Sequence, residues 1–174
     1  MQLRFTTKYD AIAPLLALPH NRRTRIRFSV NGGTAERFEG GAPRMANRLS
    51  AMQQAALAGY RIGLTVAPIM PLPDWRSEYG RLLDLVAAAV DGVPALDLTA
   101  ELITHRFTPG SKEVLMGWYP RTQLDMDEST RTQKRGKFGG IKHVYPKDVM
   151  SELRGWFEPA LAERLPDCRV LYWT

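Results

Sequence analysis

Ile62-Gly-Leu-Thr-Val66, running on into Ala67-Pro68, reads as one continuous, largely apolar strand. Helical patterns stand on both sides of it. Before it, Pro43 opens a helix that runs to Ala58, and Gly59 stops it. After it, Pro71-Leu-Pro73 makes a loop, and Asp74 is placed to cap a helix from Trp75 to Val90. A strand with a helix on each side is the repeating unit of a parallel sheet with helical crossovers.

The same rhythm extends outward. Upstream lie a short β-prone run, Leu3–Thr6, and a helical stretch, Asp10–Leu18, with Pro14 in its first turn. Thr24–Asn31 alternates bulky and charged residues and reads as a strand, broken by Gly32-Gly33. Downstream, Leu96–Ile103 is the next strand, and Ser111 is placed to cap a short helix to Trp118. Residues 119–145 are polar and Gly-rich, with β-type pieces around Phe138 and His143–Tyr145. Pro146 opens a last helix to about Leu165, and Arg169–Trp173 is a closing strand. The expected fold class is α/β: roughly half of a β/α barrel with mostly parallel strands, plus a C-terminal β-hairpin and helix. Residues 1–118 are expected to form the half barrel. Residues 119–174 are expected to supply the hairpin, helix and terminal strand packed on it. Half a barrel has two raw sheet edges.

A chain of 174 residues fits one domain and can bury a core. Its one cysteine, Cys168, excludes a disulfide framework and a Cys-rich zinc site. No signal peptide is evident, and the cytoplasm is the expected compartment. Leu82–Val90 is too short and too interrupted to cross a bilayer, so no membrane partner is expected. The net charge of +6 is clustered. Six basic residues and one acid, Asp10, lie between Arg4 and Arg27, and five basic residues with no acid lie between Arg131 and Lys142. Such clusters suit a polyanion such as DNA.

An ordered series of motifs resembles a known family. It runs through Arg4-Phe-Thr-Thr-Lys8, His20-Asn21, Arg25-Ile-Arg-Phe-Ser-Val-Asn31, Ala58-Gly-Tyr60, Val66-Ala-Pro-Ile69 and Trp75 with Tyr79. It continues through Glu101–Phe107, Tyr119-Pro120, Gly136-Lys-Phe-Gly139, Tyr145 and Tyr172-Trp-Thr174. From about Gln2 to Thr174 the chain resembles the C-terminal half of a spore photoproduct lyase, a radical S-adenosylmethionine enzyme. No single motif is specific; the order is.

The resemblance implies a radical-enzyme barrel that reverses a methylene-bridged thymine dimer in DNA. In that family a 4Fe–4S cluster on a three-cysteine loop cleaves S-adenosylmethionine to the radical that starts repair. This chain does not carry that loop, so the cluster is not ligated by it and no catalytic residue or metal ligand is expected within it. It is expected to keep part of the cofactor pocket. Lys8 matches a lysine that pairs with the cofactor carboxylate. Ser29 and Asn31, two apart and on one face, match positions bonding the carboxylate and ribose. Ala67 matches a backbone contact to adenine. The segment 131–145 resembles a hairpin that enters the lesion, with Arg135, Lys137, Phe138 and Lys142 as DNA contacts. The family carries Arg-Tyr at its tip. Here Lys137-Phe138 keeps a cation and an aromatic face without the bidentate fork or the hydroxyl. Glu101, His105 and Arg106 read as barrel-mouth contacts that order the site. Cys168 reads as a small, partly buried apolar residue. Three readings stay open: a fragment of the repair enzyme, a half completed by a separate Cys-bearing polypeptide, and a non-catalytic protein or remnant that binds DNA lesions.

Overall fold

The computed structural model describes residues 2–136 and 139–174. Its strands are β1 (Leu3–Thr7), β2 (Thr24–Val30), β3 (Arg61–Ile69), β4 (Leu98–Thr104), β5 (Thr132–Arg135), β6 (Ile141–Val144) and β7 (Arg169–Trp173). Its helices are α1 (Ala13–Leu16), α2 (Gly33–Glu36), α3 (Met45–Leu57), α4 (Trp75–Val90), α5 (Pro109–Trp118) and α6 (Lys147–Arg164). Five strands form one sheet in the order β1-β2-β3-β4-β7, and every neighbouring pair is parallel. β5 and β6 form a separate antiparallel hairpin. The half-barrel expectation holds, and β7 is hydrogen-bonded into the sheet beside β4.

Strand order follows chain order, so right-handed crossovers put the connecting helices on one side of the sheet. That side is apolar. Ile26, Phe28, Val30, Ile62, Leu64, Val66, Ala100 and Leu102 are fully buried there, in one cluster with Met52 of α3, Leu83 of α4 and Phe157 of α6. The two-residue period of a strand sends the alternate residues to the other face. Those are Arg25, Arg27 and Ser29 of β2, Arg61, Gly63 and Thr65 of β3, and Thr99 and Glu101 of β4. None of them belongs to the apolar cluster.

Several local expectations are corrected. Helix α3 begins at Met45, with Pro43 outside it and its carbonyl taken by the Nε of Arg48 at 2.8 Å. Asp74 stands at the N-cap of α4 in a left-handed conformation (φ 60°) and makes no side-chain cap. Ser111 is the third residue of α5 rather than its cap. Thr108 caps α5, and the two exchange hydrogen bonds reciprocally. The Asp10–Leu18 helix shrinks to α1, and a single helical turn, α2, follows Gly32. The β-type piece expected around Phe138 lies outside the described residues.

Candidate functional site

Lys8 follows β1, and its Nζ lies 2.9 Å from Glu39 Oε1. The other carboxylate oxygen of Glu39 is 2.6 Å from Arg48 Nη1. Arg48 also donates to the carbonyl of Ser29 at 3.1 Å. Two cations share one carboxylate, so the cluster keeps one positive charge. Glu39 and Arg48 are buried, while the Lys8 side chain is 39% exposed. The exposed end of that charge is at Lys8. Lys8 borders a groove of about 710 Å³ with Arg37, Phe38, Trp118, Tyr119 and Arg121.

Ser29 lies on the polar face of β2 and Asn31 just past the strand's end, and both are buried. Asn31 Nδ2 donates to Pro68 O at 3.0 Å. Its Oδ1 accepts from the Gly32 N–H at 3.0 Å and the Tyr79 hydroxyl at 3.1 Å. Burial pushes the Tyr79 phenol well above its ordinary range, which keeps its proton in place to donate. Ala67 lies half-buried in β3, next to Pro68. Of the four expected cofactor contacts, Lys8 lines the groove; Ser29, Asn31 and Ala67 do not.

Sequence reasoning missed Glu39 and Arg48, and it quoted Tyr79 in the motif series without giving it a role. Arg48 did leave a signal. It falls on the buried stripe of α3 with Met52 and Ala55, and a charge on an apolar stripe needs a buried partner.

The second cluster roots the hairpin. The Arg131 side chain is fully buried. Its Nη2 is 2.8 Å from Asp125 Oδ2, and its guanidinium lies 3.8 Å from the centre of the Tyr145 ring. It also donates to the carbonyl of His105 at 3.3 Å. Phe107 and His143 stack at 5.1 Å and pair through their backbones. Burial, and then the Arg131 charge, lower the His105 pKa to about 4, so its ring is neutral at pH 7. Burial alone would push the Asp125 carboxyl up. The Asp127 backbone N–H and the Arg131 guanidinium outweigh burial and hold it below its ordinary value.

The basic runs are therefore not uniform surfaces. Arg131 is neutralised by Asp125, and Arg25 and Arg27 are buried against Asp97 and Glu101. The exposed cations of the second run lie on the hairpin, while Arg4, Arg22 and Arg23 of the first run are exposed elsewhere. Lys134, Arg135 and Lys142 border a cavity of about 580 Å³ with Arg106, Lys147, Tyr145 and Tyr172, and no acidic residue lines it among the described residues. Arg135 and Lys142, two of the expected DNA contacts, meet here. Lys137 and Phe138 lie outside the described residues. Arg106 donates to Thr174 Oγ1 at 2.8 Å and ties the end of β4 to the C-terminus.

Among the described residues no three His, Cys, Asp or Glu side chains gather as a metal site. Burial pushes the Cys168 thiol up to about 11, so it is not a thiolate ligand. These residues do not fit an iron–sulfur cluster. No helix of the described residues is long and apolar enough to cross a membrane.

The family model described as "Spore photoproduct lyase" matches residues 1–174. A spore photoproduct lyase of Geobacillus sp. is 41% identical over 174 residues, 99% of this chain and 51% of the relative. The one from Bacillus subtilis is 37% identical over the same shares. A solved spore photoproduct lyase complexed with dinucleoside spore photoproduct superposes with a TM-score of 0.94 at 38% identity, covering 99% of this chain and 51% of its own. A mutant with bound AdoMet and the same dinucleoside superposes at 0.93. The chain spans about half the length of these relatives, along the polar-faced sheet and the basic hairpin described above. It belongs to the spore photoproduct lyase family.

Proposed function

We propose that this chain is one wall of a DNA-repair protein of the spore photoproduct lyase type, working in the cytoplasm and binding damaged DNA along its hairpin. The observation that carries this reading is the cavity beside the hairpin, whose lining among the described residues holds five cations and no acidic group. Phosphates are held by such donors, and their counterions are released on binding. Residues 1–118, with α6 and β7 joined to their sheet and core, would form the barrel wall, and the hairpin within residues 119–174 the part that meets DNA.

S-adenosylmethionine, when bound, would supply the radical that starts repair. Lys8 fits its carboxylate, because the shared Glu39 leaves an uncompensated, partly exposed ammonium at a groove. Ser29, Asn31 and Ala67 would shape the neighbouring wall. Asn31 does so with its oxygen already accepting two hydrogen bonds. The 4Fe–4S cluster would come from a second wall with the cysteine loop. Without that wall the chain takes up no stoichiometric cluster. Anaerobic reconstitution with iron and sulfide, followed by iron analysis, checks this, and a stoichiometric cluster on the lone chain would refute it.

The test of the DNA reading is a binding titration on intact and thymine-dimer duplexes at two salt concentrations. Phe138→Ala should cost about 1–3 kcal/mol if a base stacks on that ring, and more on the damaged duplex, which is cheaper to open. Equal affinity for both duplexes, unmoved by Phe138→Ala, would remove the wedge role. A second reading, a lesion binder without catalysis, is favoured by the lack of any cluster ligand set among the described residues. Damage-selective binding that persists with no repair after a cysteine-bearing half is added would establish it.

A further inference from the structure

The groove at Lys8 has a second wall that the cofactor reading does not use. Lys8, Arg37 and Phe38 line one side, and Trp118, Tyr119 and Arg121, at and beyond the end of α5, line the other. Trp118 is 76% exposed and Tyr119 62%. Packing does not account for these two rings, because α5 buries none of its residues. Apolar side chains exposed singly are ordinary, whereas adjacent large aromatics on one groove wall mark a binding surface.

The wall holds its shape without a ligand. Thr108 and Ser111 fix the start of α5 through their reciprocal bonds. At its end the Tyr119 N–H donates to Leu115 O at 2.8 Å, and the Thr122 N–H donates to Tyr119 O at 2.9 Å, closing a turn around Pro120. Across the groove the Arg37 guanidinium lies 4.7 Å from the centre of the Phe38 ring. The charge of the groove is one-sided. Glu39 is the one acid among the described lining residues, and Lys8 and Arg48 both hold it, so Arg37 and Arg121 add two cations that no acid of the lining offsets.

Cations interleaved with flat rings suit a ligand that has both a charged backbone and free stacking faces. An acidic peptide would use the charges and leave the rings idle. Duplex DNA offers phosphates but keeps its base faces stacked on one another. Single-stranded DNA offers both. We propose that this groove is a single-stranded DNA subsite, in which bases stack on Trp118 and Tyr119 and phosphates meet Arg37 and Arg121, while Lys8 stays with the cofactor carboxylate. Among the described residues the groove shares no lining residue with the cavity beside the hairpin. Helix α5 sets the two apart. It starts just past Phe107, which pairs with His143 of the hairpin, and its ten residues run about 15 Å to Trp118. The proposal rests on the DNA reading above and adds to it a second contact, specific for unpaired strand.

The test titrates the full chain with an oligothymidine of about twelve nucleotides and with an intact duplex of the same length. Labelled-DNA anisotropy reads affinity, and tryptophan fluorescence reads stacking. Trp75 is buried and Trp156 and Trp173 are partly buried, so quenching reports first on Trp118. The oligothymidine should quench the fluorescence. Trp118→Ala should remove the quenching and weaken single-strand binding about tenfold or more. Arg121→Gln should lower the single-strand salt slope by about 0.7 unit. Both side chains are exposed, so the variants keep the fold, and neither should change duplex binding. Single-strand affinity and quenching unmoved by both substitutions would overturn the subsite, and would leave the hairpin reading standing if Lys142→Ala still weakens the duplex. Full displacement of the oligothymidine by S-adenosylmethionine, or by an added cysteine-bearing half, would give the groove to cofactor or protein and overturn it as well. No binding of either DNA overturns both readings.

Discussion

Arg27 on β2 pairs with Glu101 on β4, Nη1 to Oε1 at 2.8 Å, across the whole width of the strand between them. The passage exists because Gly63 stands in register with Arg27 on β3. A methyl group at position 63 would lie 2.5 Å from Arg27 Cγ, inside van der Waals contact and close to the backbone end of the side chain. One missing side chain thus lets an ion pair bridge three strands.

Gly63→Ala should therefore destabilise the chain by about 1–3 kcal/mol, the usual penalty for overpacking. Arg27→Ala in the same molecule should recover part of the loss, since it removes the atom that clashes. A double-mutant cycle on denaturant midpoints measures the coupling. Strict additivity would mean that the two residues do not meet as described.

Arg48 and Lys8 share Glu39 but should behave differently. Arg48→Met leaves the buried Glu39 carboxylate against an apolar side chain and should cost about 3–5 kcal/mol. Lys8→Met removes a partly exposed partner and should cost under about 1 kcal/mol. Arg48→Lys should not restore stability, because one ammonium does not reproduce contacts to Pro43 O, Ser29 O and Glu39 together. Chemical denaturation of the three variants separates these outcomes.

His105 sets an acid limit. The unfolded chain binds its proton below about pH 6.5, whereas the folded chain binds it only below about 4. Acid therefore favours unfolding between those values. The contribution is complete above about 6.5 and falls by about 3 kcal/mol as the pH drops toward 4. His105→Gln should flatten the stability profile across that window. A parental slope that survives the substitution would place the titrating group elsewhere.

Two basic residues of one sequence run should answer salt differently. Lys142 is exposed beside the basic cavity, so Lys142→Ala should weaken DNA binding on every duplex and reduce the salt slope by about one unit. Arg131 is buried against Asp125 and stacked on Tyr145, so it reaches no phosphate. Arg131→Met should lower thermal stability and leave the salt slope of the folded protein unchanged. Equal slope changes for the two would show that Arg131 meets DNA after all.

The sequence by itself determined the parallel architecture, the polar basic stretch with β-type pieces that becomes the hairpin, and the absence of a three-cysteine loop. These follow from local information: apolar period, helix stops at residues such as Gly59, and a residue count. Tertiary structure alone decided which charges are free. Lys8 and Glu39 are 31 residues apart, and Arg25 and Asp97 are 72 apart. Arg27 and Glu101 lie on strands separated by a third. Pairing at such separations depends on strand register and on which face a side chain occupies, and a linear run of arginines records neither. The same limit explains Asn31, whose position at a strand end was legible. The commitment of its amide to Pro68, Gly32 and Tyr79 appeared only when three segments came together, because hydrogen bonds are won by geometry and not by residue type.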